Sequence, residues 1–305
     1  MKIYYTDIFP IPLPAEHRFP LEKYTRLRKR VTAAGIVSAE DFRIPRSVTP
    51  EELLLVHDPV YIQRLLTGTL TAKEMRRIGF PWSPALVERT LRSAGATLEG
   101  SFAALDDSVA VCLSGGTHHA FRDHGEGYCL INDCAIAAKA VIATRRIKRV
   151  LVVDCDVHQG NGTAAIFAND PSVYTFSIHG RNNFPFRKET GDIDIAMEDG
   201  TGDSDYLNAL EDGLKSALAA ADAGLAIYLA GADPYHDDRF GRLSLTQKAL
   251  SKRDHIVFNN CLAAGLPVVT TMAGGYARRI EDTVDIHLQT VAAAAFYQAK
   301  DRIRP

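Results

Sequence analysis

What most restricts the fold of this chain is a rhythm. Short runs that are apolar almost throughout alternate with longer stretches whose apolar residues recur near every ~3.6 positions. The short runs are Ile3–Tyr5, Val109–Leu113, Val150–Asp154, Val173–Ser177, Ala226–Ala230 and Val268–Met272. They show no in/out alternation, as expected of strands covered on both faces in a parallel sheet. Between them, Ser83–Ala104, Asp205–Ala221, Thr246–Ala264 and the Ala-rich Thr283–Lys300 read as helices. Ser83 followed by Pro84 is a good cap and first-turn pair for the first of these. The repetition predicts an α/β chain: a single open, mostly parallel β-sheet with helices on both faces, one domain over residues 1–305. At 46% hydrophobic residues over 305 positions, such a core is easily filled. Ile44–Pro50 and Arg181–Thr201 are polar and turn-rich and read as surface loops. The opening stretch is poorly patterned, and Pro10, Pro12 and Pro14 exclude a helix there.

Charge and cysteine usage narrow the function classes. The formal net charge is −2, so no strong field draws in nucleic acid or an anionic membrane. The basic cluster Arg145, Arg146, Lys148 and Arg149 reads as a solvated helix end. No apolar run approaches the ~18 residues needed to span a bilayer, and the N-terminus lacks the basic and apolar regions of a secretory signal. The five cysteines, Cys112, Cys129, Cys134, Cys155 and Cys261, are scattered, odd in number and without a CxxC. That argues against a disulfide framework and predicts a reducing cytoplasm.

In open parallel sheets, ligands bind beyond the carboxyl ends of the strands. The runs here are followed by Ser114-Gly115-Gly116-Thr117-His118-His119, by Cys155-Asp156-Val157-His158-Gln159-Gly160-Asn161-Gly162, by Ser177-Ile178-His179-Gly180, by Gly231-Ala232-Asp233 and by Ala273-Gly274-Gly275-Tyr276. Asp156 and His158 lie two apart in a segment expected to be extended, so their side chains share a face. Asp233 enters from another strand end. Three ligands of oxygen and nitrogen type suit a catalytic zinc, which keeps a further position open. The adjacent His118 and His119 suit a pair bracketing a reacting water. Asp154 and Asn161 are the expected partners of their second nitrogens: a carboxylate raises imidazole basicity, whereas an amide only orients the ring. Tyr276, after two glycines, is placed to donate to a developing oxyanion.

These residues, with Gly127-Tyr128-Cys129 and Asn132-Asp133, resemble the histone deacetylase family. His17-Arg18-Phe19-Pro20 and His57-Asp58-Pro59-x-Tyr61 are similar to its class IV branch and bacterial relatives. The resemblance implies the arginase/deacetylase fold. It implies Asp156, His158 and Asp233 as Zn²⁺ ligands, which would also take Fe²⁺, with His119 as base and later acid. It implies Gly127, Tyr128, Gly274 and Gly275 around the substrate, Tyr128 standing where phenylalanine is usual. It also implies a structural K⁺ on Asp154 and Ser177 with the carbonyls of Asp156, His158 and Ile178. The substrate would be an acyl-lysine peptide or protein, or an acylated small amine or polyamine. For a polyamine, Asp237 and Asp238 offer weak support, and they read more simply as solvated loop charges. Two other readings stand beside this one. A binuclear manganese ureohydrolase would need carboxylates where Gly160 and Tyr235 stand; a non-catalytic acyl-lysine-binding module would keep the fold alone.

Overall fold

The computed structural model describes residues 1–301. Eight strands, β1 (Lys2–Tyr4), β2 (Phe42–Arg43), β3 (Val109–Cys112), β4 (Val150–Asp154), β5 (Val173–Gly180), β6 (Ile193–Met197), β7 (Leu225–Leu229) and β8 (Val268–Thr271), form one sheet. Their order is β2-β1-β3-β8-β7-β4-β5-β6, and every neighbouring pair is parallel. The helices are α1 (Glu22–Ala33), α2 (Pro50–Leu54), α3 (Pro59–Thr67), α4 (Ala72–Ile78), α5 (Pro84–Asp107), α6 (Asp133–Ala143), α7 (Asn161–Phe167), α8 (Asp203–Ala221), α9 (Gln247–Ala263) and α10 (Ile280–Asp301). The expected α/β class is what the chain adopts, with a sheet that is parallel throughout.

Period-two geometry explains why the strands read as continuous apolar runs. In β4, Leu151 and Val153 face one core with Tyr206, Leu210 and Leu214 of α8, while Val150 and Val152 face the other with Ile136 and Val141 of α6. In β7, Tyr228 and Ile227 divide in the same way. Both faces are covered, so both residue sets are apolar. The capping residues act as read: Ser83 accepts from the Leu86 N–H, and Thr246 from that of Ala249. The basic cluster lies in and after the turn that ends α6 and is largely exposed. All five cysteines are free and buried. No described helix is long and apolar enough to cross a membrane.

Several elements escape the sequence pattern, among them β2, β6, α1 to α4 and α7; α1 and β6 show why. Helix α1 lies in the stretch taken as unpatterned. Its buried face is only Lys23, Leu27 and Val31, and one of those three is a lysine, so the apolar stripe is thin. Strand β6 lies inside the expected loop Arg181–Thr201. It is a half-exposed edge strand with the exposed Asp194 as its second residue, held by backbone pairing from Phe176↔Ile193 to Gly180↔Met197 of β5. Strand β5 also runs on to Gly180, so Ile178 and His179 lie within it rather than after it.

Because all strands are parallel, their carboxyl ends share one rim. There β3, β8, β7, β4 and β5 are consecutive neighbours, although they are far apart in sequence.

Candidate metal and catalytic site

Asp156 and His158 sit in a bend after β4 rather than in an extended segment. They still meet. The Asp156 carboxylate accepts the His158 N–H at 2.9 Å, and its Oδ1 lies 2.9 Å from His158 Nδ1. The other oxygen, Oδ2, accepts the Gly274 N–H at 2.7 Å. Asp233, after β7, accepts the Val157 N–H through Oδ1 at 2.9 Å. Its Oδ2 is buried without a hydrogen-bond partner, 3.3 Å from His158 Nδ1. One donor atom from each of the three residues lies within 4.8 Å of the others. Position 274 tolerates only glycine, since a Cβ there would run into the Asp233 carboxylate.

The electrostatics show what these three groups lack. Burial opposes a charge on His158, yet Asp156 and Asp233 outweigh it and push His158 up to about 10. Burial and the charge of Asp156 push Asp233 up to about 7. A proton is thus retained among two carboxylates and an imidazole, and a divalent cation can take its place. The donor set, the orphaned Asp233 oxygen and the close packing all fit a metal of the zinc type. Among the described residues this is the one cluster of its kind. Tyr235 is buried, and Gly160 packs against Asp154 and His118, so the places of a second carboxylate pair stay empty of acid.

His118 and His119 are buried, with ring centroids 4.2 Å apart, and the His119 ring is 5.9 Å from that of His158. Asp154 holds His118 Nδ1 at 2.6 Å, and Asn161 Oδ1 holds His119 Nδ1 at 2.7 Å. Asn161 in turn donates to Glu126 at 2.6 Å. The two imidazoles diverge as their partners dictate. Burial works against charge on His118, but Asp154 and Asp156 push it up to about 9. His119 is driven well below its ordinary value by burial and by the charges of His118 and His158. The turn before them is fixed by Asp133, which accepts the N–H groups of Gly116 and Thr117 and the hydroxyls of Thr97 and Thr117.

A cavity of about 500 Å³ opens onto these groups. Gly127, Tyr128, Gly274 and Tyr276 line it; Gly275 does not, and turns instead toward Thr283 and His287. Gly127 has φ +56°, and a Cβ there would meet the His119 and Phe184 rings. Tyr128 follows at φ +66°, held by the Ile78 carbonyl at 2.7 Å. A non-glycine residue so held stores strain that positions an aromatic wall. Tyr276 is half-buried; desolvation of its hydroxyl, with the charges of Asp233 and Asp156, keeps its phenol well above the ordinary value.

Sequence reasoning missed several contributors. Phe184 forms the wall opposite Gly127, its ring 4.9 Å from that of His119. Lys23 of α1 is buried; its ammonium donates to the carbonyls of Ala273 and Gly275 at 3.2 and 3.3 Å and lies 5.2 Å from the Tyr276 ring. A lone charged residue on the thin apolar stripe of α1 was the available signal. Asp238 is buried, not solvated, and accepts the N–H groups of Tyr276, Phe240 and Gly241. Asp237 pairs with Arg278 at 3.1 Å. Neither forms an acidic rim. For the implied potassium set, Asp154 and Ser177 are register partners on β4 and β5, Ile178 follows Ser177 in β5, and the Ser177 hydroxyl lies 2.9 Å from His179 Nδ1.

Comparison with known proteins finds a match to the histone deacetylase domain over residues 17–291. The chain is 41% identical to an uncharacterized protein of Picosynechococcus sp., covering 93% of this chain and 95% of that one. It is 32% identical to the acetoin utilization protein AcuC of Bacillus subtilis over 76% of this chain and 65% of the relative. It is 27% identical to histone deacetylase 2 of Arabidopsis thaliana over 92% and 76%. A solved HDAC homolog complexed with SAHA superposes with a TM-score of 0.83 at 24% identity, over 96% of this chain and 83% of that one. At that identity the likeness shows the fold.

Proposed function

The chain belongs to the histone deacetylase family, and from that premise we propose that it hydrolyses an N-acyl amide, acetyl or longer, on lysine or a related amine. We read residues 1–305 as one catalytic domain working in the cytoplasm. Asp156, His158 and Asp233 would hold the metal, Zn²⁺ or Fe²⁺, and Asp154 and Ser177 with neighbouring carbonyls would hold K⁺. A divalent cation there supplies Lewis acidity toward a carbonyl and lowers the pKa of water in its shell toward ~7.

The chain's own residues account for the rest. His119, neutral and oriented by Asn161, accepts the proton of the attacking water and returns it to the leaving nitrogen. His118, held by Asp154, keeps positive charge beside the reacting carbon. Tyr276 stays protonated and donates to the oxyanion. Gly127, Tyr128 and Phe184 wall the passage that the acyl-bearing chain would enter. Water adds, the C–N bond breaks, and a free amine and a carboxylate leave.

The observation that carries this reading is the unsatisfied Asp233 oxygen beside Asp156, His158 and two differently partnered histidines. The test is release of amine from a fluorogenic acetyl-lysine peptide, with and without chelator, alongside a metal count. One ion per chain with chelator-sensitive turnover supports it. Two tightly bound ions favour a binuclear ureohydrolase, and no metal-dependent release from any acyl substrate favours a binding module.

A further inference from the structure

The mouth of the active-site cavity is lined by three exposed arginines, Arg77, Arg239 and Arg242. The cavity's one lining carboxylate is Asp156, which is buried at its floor among the candidate metal ligands. Each arginine is tied to a different wall. The Arg77 carbonyl accepts the Gly127 N–H beside Tyr128, the Arg239 N–H donates to the Tyr276 carbonyl, and the Arg242 N–H donates to Asn183, next to Phe184. Arg242 is partly neutralised by Asp199 at 3.2 Å. Arg77 and Arg239 make no ion pair among the described residues. Behind Arg239, an adjoining groove that shares Tyr276 carries Arg18 and Arg279, neither in an ion pair among the described residues; its one carboxylate, Glu281, pairs with Arg26. The whole chain is net −2, so this positive ring is a local concentration and not a reflection of overall basicity.

The acyl group is buried at the floor, so the ring faces the amine-bearing part of the substrate. We propose that this part carries carboxylate or other anionic groups close to the acylated nitrogen, and that Arg77 and Arg239 select for them. The inference rests on the hydrolase reading and sharpens it: acidic acyl-lysine segments are preferred, while lysine-rich tails and acylated polyamines are repelled. Guanidinium groups suit this role, because they bind carboxylates in a forked, two-point manner and never lose their charge. The exposed Phe186 on the same mouth adds an apolar contact.

The test uses the zinc-loaded full chain and acetyl-lysine peptides of one length with acidic, neutral or basic flanks. N-acetylspermidine and free Nε-acetyl-lysine serve as small-molecule arms. At low salt, kcat/KM should favour acidic over basic flanks by ~10-fold or more, and the gap should shrink in ~0.5 M salt. Arg77→Glu with Arg239→Glu should invert the order. Lys148→Glu, just before β4 at the opposite end of the sheet, should not. Equal or better turnover of basic peptides, or a preference that survives the double reversal, overturns the proposal. If free Nε-acetyl-lysine matches the acidic peptides, the anionic group comes from a small metabolite. Fluorescence anisotropy with the same labelled peptides reads the charge preference without turnover. Preference in binding with no cleavage sinks the hydrolase reading alone, and cleavage without preference sinks this one alone.

Discussion

At the scale of single residues, the site combines groups that share surroundings but not protonation. Tyr276 illustrates the logic. Burial and two nearby carboxylates keep its hydroxyl protonated, so its contribution is a donor present only where negative charge develops. Tyr276→Phe is therefore expected to lower kcat by ~10²–10³, while peptide binding measured by anisotropy changes little; an unchanged kcat would remove Tyr276 from the mechanism. Lys23 acts through Tyr276. Its ammonium holds the carbonyls on either side of Gly274, and so sets where the phenol stands. Lys23→Met keeps the volume and removes a buried charge that no carboxylate offsets. Thermal stability should hold, whereas kcat should fall by about tenfold from misplacement, and Lys23→Arg should restore most of it. A fall in Tm with normal kcat would make Lys23 structural only.

At the scale of elements, the site is braced from outside the sheet. His57, between α2 and α3, bonds the Phe121 carbonyl through Nδ1 at 2.9 Å, and its Nε2 accepts the N–H of Asn132, the cap of α6, at 3.0 Å. It thereby ties the α2–α3 corner to the loop carrying His118 and His119. Burial pushes its pKa down from 6.5 to about 4. Between those values the unfolded chain binds the proton and the folded one does not, so stability falls as pH drops from 6.5 toward 4. At ~1.4 kcal/mol per unit, the full loss approaches about 3 kcal/mol. In chemical denaturation at pH 7.5 and 5, His57→Gln should lose less stability on acidification than the parent. An equal loss would assign the acid sensitivity elsewhere.

At the scale of the whole molecule, metal binding and folding are linked. The three ligands come from the ends of β4 and β7, so they converge only in the folded chain. Zinc should therefore raise the stability by about 2.7 kcal/mol at a free concentration 100-fold above Kd. The cation must displace a proton held by His158. Affinity should thus climb with pH, by about tenfold per unit for each proton released, as isothermal titration in two buffers can measure. Asp233→Asn should abolish both the stabilisation and the metal-dependent turnover. If zinc still stabilised that variant, the ligand set would be wrong.

The α/β class, the long helices, the neighbourhoods after each strand and the residue types of the site are legible in the amino-acid order alone. Those features are local: apolar runs, caps and glycine-flanked polar groups are written in adjacent letters. That order does not show α1 or β6, because one buries a stripe that includes a lysine and the other is an edge strand held by backbone bonds. The folded chain alone makes β3, β8, β7, β4 and β5 neighbours, which brings His118, Tyr276, Asp233 and Asp156 onto one rim. Folding likewise buries Asp238 and sets arginines around the mouth. Strand order and burial depend on long-range packing of both sheet faces, and a charge reads the same in sequence whether it ends in water, in a core or over a substrate.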